Sequence, residues 1–362
     1  MTKLSRGEFP MNIAGLTSLL PEEQIWAHYQ PYLEARGYML RLRYRPDWVP
    51  EAIRLGKDPF DCEDSIPGEG KVLDATRISD GTQVVLKIVE LLSADVTISS
   101  FLANEQGAQK HTISLLEWIP IDDTWGWMVM PRMRGCYDLP LFRTVREFNE
   151  FLLQVLEGLV FLHSKNIAHR DICTQNIVMD ASRIIPGGFH FVLPLTSNGL
   201  DFLKIYTGDE SEPHYMKTRT EAGPTKYYYI DFGLSVRFPS FEARTLVTGN
   251  YGRLRKHVPE ISDTVPYDPF KVDVRLVGEM LRFEFLEHYL GLDFVIPFMK
   301  ELRRHSPANR PDAAMALGLF RQLVSRMSDK DLDRPVRFCP SVIRQTRKQF
   351  ILSLKTFDFR WR

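Results

Sequence analysis

Three short segments place residues capable of chemistry in a fixed order along the chain. They are Lys87 within Thr82-Gln-Val-Val-Leu-Lys-Ile-Val89, then His169-Arg-Asp-Ile-Cys-Thr-Gln-Asn176, then Asp231-Phe-Gly233. Together they hold a cation, two carboxylates and a carboxamide. Carboxylate and amide oxygens are the hard donors that a small divalent cation takes, and a carboxylate within hydrogen-bond reach can accept a hydroxyl proton. Taken singly, each residue has a plainer reading. Lys87 alone is a strand-end lysine with its head in water, His169 a packed structural histidine, and Glu105 a solvated helix residue. The combination carries the information: a fixed Asp-to-Asn interval, a strand lysine upstream and Asp-Phe-Gly downstream.

This combination resembles the signature of the eukaryotic protein kinases, and the resemblance runs from about Lys71 to Gln322. Such enzymes pass through a transition state whose negative charge spreads over the phosphoryl oxygens, so the protein supplies cations and alignment. The resemblance implies that Lys87 contacts the α- and β-phosphates of ATP and that Glu105, in the following helix, pairs with Lys87. It implies that Asp231 and Asn176 ligate Mg²⁺, and that Asp171 accepts or orients the proton of the attacking hydroxyl. Met128-Val-Met-Pro-Arg-Met133 resembles the fifth strand and the hinge, with Met130 as gatekeeper. The Pro131 carbonyl would then accept from adenine and the Met133 amide donate to it; proline lacks only the N–H, which that contact does not use. Further along, Val258-Pro-Glu260, Arg310 and Asp273 match scaffold positions of the same family. The segments Arg43-Tyr-Arg-Pro-Asp-Trp48 and Asp74-Ala-Thr-Arg-Ile-Ser-Asp-Gly81 are similar to divergent fungal protein-kinase-like proteins.

Three departures qualify the match. The family's GxGxxGxV loop corresponds to Ser65-Ile-Pro-Gly-Glu-Gly-Lys-Val72, where Gly70 and Val72 are in register but Ser65 and Pro67 replace the other glycines. Cys173 stands where serine/threonine kinases carry a lysine, and Arg253 where they keep a threonine. The stretch between Asn176 and Asp231 is far longer than the family's dozen or so residues, so about 181–226 reads as an insertion. A solvated surface loop is the expected form for it, with a docking element as the sharper alternative.

The elements that must position these groups are read from periodicity. Lys71 to Arg77 and Thr82 to Val89 have strand character around a Ser79-Asp-Gly81 turn. Ala94 to His111 reads as a helix, followed by strands at Ile113 to Trp118 and Trp125 to Met130. Val145 to Ser164 spaces its apolar residues by three and four, as do Val272 to Tyr289, Phe294 to Arg304 and Asp312 to Met327. A short amphipathic pattern covers Glu22 to Tyr38, and Pro46, Pro50 and Pro59 break the run after it. The fold expected is α+β and two-lobed: residues 1–64 as an N-terminal arm, 65–133 as a small sheet-rich lobe, 134–330 as a larger, mainly helical lobe carrying the insertion, and 331–362 as a tail.

Composition excludes other classes. The chain has 362 residues, 44% hydrophobic and 25% charged, with Lys plus Arg equal to Asp plus Glu at 46 each. That is ordinary for a globular protein, and no net field exists to hold nucleic acid. The most apolar late stretch, Tyr289 to Met299, is interrupted by Asp293 and falls short of the roughly 20 residues a membrane span needs. No secretory signal follows Met1. Four scattered cysteines suggest neither disulfides nor a zinc site and fit an intracellular compartment, cytoplasmic or nuclear. The expectation is an ATP- and Mg²⁺-dependent kinase acting on a protein substrate, with Ser or Thr as acceptor; the alternative is a pseudokinase serving as a binding or scaffold module.

Overall fold

The computed structural model of the chain describes residues 14–339 apart from 58, 60, 61, 69, 108, 109 and 193–215. A small lobe built on an antiparallel sheet adjoins a larger, mainly helical lobe, as the two periodicities predict.

The small lobe starts earlier than residue 65. Helix α1 (Gln24–Ala35) and strand β1 (Tyr38–Leu40) belong to it. The remaining elements are β2 (Val72–Arg77), β3 (Gln83–Glu90), helix α2 (Ala94–Asn104), β4 (Glu117–Pro120) and β5 (Trp125–Pro131). The sheet order is β1-β2-β3-β5-β4 and every neighbouring pair is antiparallel. Side chains alternate between faces. Leu73, Ala75, Val84, Leu86, Trp127 and Val129 bury one face under Trp26 and Leu33 of α1. The opposite face carries Val85, Lys87, Val89, Met128 and Met130 toward the other lobe, with Val89 and Met128 packed on Val96 of α2.

What ties the N-terminal segment to the sheet is a buried ion pair. Arg43 donates to Glu23 from Nε at 2.8 Å and from Nη2 at 2.7 Å, and both side chains are fully shielded from solvent. Tyr44 Oη and the Gly68 amide donate to the same carboxylate at 2.7 and 2.9 Å. Two charges survive in such a medium only when geometry and extra hydrogen bonds offset their lost hydration. Residues 14–64 are thus not an arm lying on a finished domain; they supply an edge strand and one face of the core.

Helix α2 stops at Asn104 rather than His111. Its last buried apolar residue is Leu102, and Glu105 already has extended backbone (φ −81°, ψ 139°). Beyond it, Glu-Gln-Gly offers nothing to bury. In the larger lobe, α3 (Val145–Ser164) has the predicted bounds and buries the predicted stripe, capped by Thr144 on the amide of Glu147. Strands β6 (Ile177–Met179) and β7 (Tyr227–Tyr229) pair antiparallel, with Arg134–Gly135 on the far side of β6. Helix α4 (Pro269–Met280), capped by Asp268, runs on into a π-helical turn over Leu281–Leu286. α5 (Ile296–Leu302) and α6 (Ala313–Val324) complete the bundle.

The flanks of the 181–226 insertion are not a solvated loop. Ile184 and Ile185 are buried. Arg219 is also buried: it donates to the carbonyls of Pro140 and Cys136 at 3.0 and 2.8 Å, and its guanidinium lies 4.1 Å from the Phe142 ring centroid. Phe189 packs under Arg132 and Arg134, at 4.8 and 5.2 Å. The middle of the insertion, 193–215, lies outside the described residues, as does the tail beyond 339. The start of the tail, Arg337–Phe338, pairs with Tyr289–Leu290. Among the described residues no helix is long and apolar enough to cross a membrane.

Replacing Glu23 by Gln removes the carboxylate charge that faces buried Arg43 and should cost roughly 3–5 kcal/mol of unfolding free energy. Urea unfolding followed by circular dichroism measures it; a loss confined to a few tenths would show that the N-terminal segment does not hold the lobe together.

Candidate active site

The four groups singled out by type and spacing converge between the lobes. Lys87 points from β3 toward the larger lobe, and its Nζ donates to Asp231 Oδ1 at 2.8 Å and to Asp95 Oδ2 at 2.5 Å. Burial disfavours the ammonium, yet the two facing carboxylates outweigh it and lift the Lys87 pKa above its ordinary value. Burial likewise pushes the Asp231 carboxyl up, and Lys87 overrides it and holds the group below the usual carboxylate range. The pair is therefore charged on both sides at neutral pH.

Lys87's helical partner is Asp95, not Glu105. Asp95 sits in the first turn of α2 behind the Ser93 cap, where the helix N-terminus favours an anion. Its second oxygen accepts the amide of Phe232 at 3.0 Å, so one buried carboxylate ties α2, β3 and the Asp-Phe-Gly turn together. Glu105 lies ten residues on, about 15 Å further along a helix axis, and pairs with Lys165 instead. The signal was present in the sequence: Asp95 is the single carboxylate within Ala94–Asn104. Extending the helix to His111 hid it.

The loop that holds Asp171 is built from the backbone outward. Asp273, fully buried at the start of α4, accepts the amides of His169 and Arg170, both at 2.7 Å. That double grip holds Arg170 at φ +68°, a left-handed conformation that a residue with a side chain adopts only when its surroundings impose it. Asp231 is held likewise, at φ +63°. Fully buried His169 places Nε2 3.1 Å from the Ile230 carbonyl and so serves the scaffold. Asn176 donates its amide to the Asp171 carbonyl at 2.8 Å and to Asp171 Oδ2 at 3.0 Å, which leaves the amide oxygen as its free acceptor. The Ile230 amide donates to the Asn176 carbonyl at 3.1 Å, so Asp231 and Asn176 are fixed to each other through the β6–β7 ladder. Asp231 and Asn176 thus offer hard oxygens suited to Mg²⁺. Arg310 forks onto Glu260, with Nη2 3.0 Å from Oε2, and supports the segment that returns to Asp171.

The roof of the cleft differs from the expected loop. A glycine-rich hairpin would join β1 directly to β2; here residues 41–71 intervene. The Gly68 amide is used on Glu23, and a Cβ at Gly68 would run into the Tyr44 hydroxyl and a Leu73 methyl. Gly70 lies against Glu22, 3.3 Å from the position its Cβ would take. Both glycines pack closely against the N-terminal segment, and the Gly68 amide is engaged by Glu23. Val72 remains in place on β2 opposite Lys87, Met130 on β5 opposite Val85, and Pro131 opposite Val84; Met133 comes next in the connection to the larger lobe. A separate cavity of about 250 Å³ is lined by Arg41, Asp74, Arg132 and His190 and by none of the four converging groups.

The surroundings of Asp171 carry two features of their own. Asp171 Oδ1 accepts the amide of Arg253 at 2.7 Å, and Gly252 (φ +96°) passes so near that a Cβ there would stand 3.0 Å from the same oxygen. Cys173 is buried, and burial pushes its thiol pKa well up, so it brings no charge to the site.

Comparison with known proteins agrees with this geometry. Residues 68–189 match the family model described as protein kinase domain. The chain is 29% identical over 137 residues to serine/threonine-protein kinase pim-2 of Danio rerio, covering 31% of this chain and 44% of that protein. It is 29% identical over 135 residues to MAP kinase-interacting serine/threonine-protein kinase 1 of Xenopus tropicalis, covering 34% and 32%. It is 25% identical over 134 residues to serine/threonine-protein kinase SKM1 of Saccharomyces cerevisiae, covering 32% and 20%. The matched region spans less than half the length of each of these relatives. Fold, residue pattern and matches all show similarity to eukaryotic-type protein kinases.

Removing the Asp95 charge (Asp95→Asn) should destabilise the chain by roughly 3–5 kcal/mol, the cost of breaking a buried pair. Glu105→Gln, at a partly exposed pair, should change stability by about 1 kcal/mol or less. Chemical denaturation of the two variants side by side checks this; equal losses would remove Asp95 from its assigned place.

Proposed function

We propose that this eukaryotic-type protein-kinase chain transfers the γ-phosphoryl group of ATP to a protein hydroxyl, that of a serine or threonine. One observation carries the reading: Lys87, Asp231, Asn176 and Asp171 form a single connected cluster facing the space between the lobes. A fold needs no such gathering of charge for stability, since buried ion pairs seldom repay their desolvation.

In this reading Lys87 faces the non-transferred phosphates of ATP, its reach fixed by Asp95. Asp231 and Asn176 hold Mg²⁺, which when bound neutralises phosphate charge. Asp171 orients the acceptor hydroxyl and takes its proton as the hydroxyl oxygen bonds to the γ-phosphorus and the bond to the β-phosphate oxygen breaks, releasing ADP. Val72, Met130, Pro131 and Met133 line the adenine side, with the Pro131 carbonyl and the Met133 amide as hydrogen-bonding partners. Gly70 has no part in it.

A second reading, a pseudokinase that binds or scaffolds, is favoured by the roof: the Gly68 amide is engaged by Glu23 rather than free for phosphate. Thermal-shift titration with ATP and Mg²⁺ separates the two, because a ligand of the folded state stabilises by RT ln(1 + [L]/Kd). A rise in Tm that Lys87→Met abolishes is expected. No rise at millimolar nucleotide would leave the scaffold. In a phosphotransfer assay, Asp171→Asn should slow turnover by roughly 10²–10⁴-fold with the fold intact; unchanged turnover would remove Asp171 from the mechanism.

A further inference from the structure

The segment that closes over Asp171 is Arg253-Leu-Arg-Lys-His257, three cations and a histidine within five residues. Leu254 is buried and anchors it, while Arg253, Lys256 and His257 are exposed. The run is bound to the site at its first residue and braced within itself. The Arg253 amide donates to Asp171 Oδ1 at 2.7 Å, and Arg255 Nη1 donates back to the Gly252 carbonyl at 3.1 Å. The strip continues onto the π-helical turn after α4. There the His257 ring lies 3.9 Å from the Phe283 centroid, and the Arg282 guanidinium sits 4.8 Å over the same ring.

Among the described residues, the carboxylates near this strip each hold a hydrogen-bond or ion-pair partner. Glu260 is held by buried Arg310. Asp263 accepts the Asn250 amide at 2.9 Å. Glu284 accepts the Thr174 amide at 2.8 Å and approaches Arg253 Nε only to 3.9 Å; burial also pushes its carboxyl pKa up. Arg253 keeps 46% of its side chain in solvent, and its ion pair with Glu284 is a long one at 3.9 Å. The catalytic-loop position two residues beyond Asp171 is the neutral, buried Cys173, so among the described residues the cations of this strip are Arg253, Arg255, Lys256 and Arg282.

Any polypeptide that presents a hydroxyl to Asp171 must lay its flanking residues along this strip. We propose that the acceptor-side surface formed by Arg253, Arg255, Lys256, His257 and Arg282 selects acidic polypeptide segments, those with Asp, Glu or a phosphorylated residue beside the acceptor hydroxyl. The inference rests on the reading of Asp171 as the acceptor-side base and adds the class of substrate. Charge complementarity of this kind acts on encounter and on choice among partners, and it weakens as salt rises.

The test measures binding directly, so it does not depend on turnover. Fluorescent peptides with a central serine flanked by Asp and Glu, by Lys and Arg, or by neutral residues are titrated with the full chain and followed by anisotropy at low and high salt. The acidic peptide should bind about tenfold or more tighter than the basic one at low salt, with the gap narrowing at high salt. Lys256→Glu and Arg253→Ala should each weaken the acidic peptide several-fold without altering the circular dichroism spectrum. Equal binding of the three peptides, or binding of none, would overturn the proposal. So would displacement of the acidic peptide by a single-stranded oligonucleotide at lower concentration, which would make the strip a nucleic-acid surface. Acidic preference without any ATP-dependent rise in Tm would keep this surface and remove the kinase reading; a rise in Tm without peptide preference would do the reverse.

Discussion

Lys87 is a cation in a largely enclosed cleft, stable there because two carboxylates from different parts of the chain face it. Asp95 comes from the first turn of α2, eight residues on, and Asp231 from the far lobe. Losing either would leave a poorly solvated charge with half its compensation. The position of α2 against β3, and of the Asp-Phe-Gly turn against both, is thereby fixed electrostatically before any ligand binds. Phe232 strengthens the arrangement by packing near His169 while its amide is held by Asp95.

The larger lobe meets the same requirement with backbone geometry. Left-handed conformations at Arg170 and Asp231 cost of order 1–3 kcal/mol each, and they persist because Asp273 and the β6–β7 ladder determine the chain on either side. Such strain aims Asp171, Asn176 and Asp231 into one space. The Glu260–Arg310 pair and the Arg253 amide then bring the following segment back over Asp171, which is how a strip of cations comes to border a carboxylate.

The small lobe solves a different problem. Its outer sheet face is apolar and must be covered, and α1 does so, anchored by Glu23 and Arg43. The same anchor recruits Gly68 and crowds Gly70, so the region that would arch over phosphates is absorbed into packing. In the proposed kinase reading, nucleotide affinity would lean on Lys87, on Pro131 and Met133, and on the oxygens of Asn176 and Asp231 more than on backbone amides in a loop.

Elements with strong periodicity were readable from the residues alone. Val145–Ser164 has the same bounds by pattern and by structure because a stripe of seven apolar residues can be buried in only one way. The resemblance of three short motifs to the protein-kinase signature picked out Lys87, Asp171, Asn176 and Asp231 as a set, and the local chain around each suits a strand, a loop or a tight turn. Glu105, Gly70 and the arm boundary were not readable in this way. Where α2 ends depends on what remains to be buried beyond Leu102. Which carboxylate meets Lys87 depends on which end of that helix abuts β3. That Gly68 meets Tyr44 and Gly70 meets Glu22 depends on a segment more than twenty residues upstream. Periodicity and short motifs are local properties, and the strands, helices and turns they dictate were determined by the residues themselves. Contacts between distant segments belong to the packed chain, so the partners of Lys87, Glu23 and Arg219 were decided only by tertiary structure.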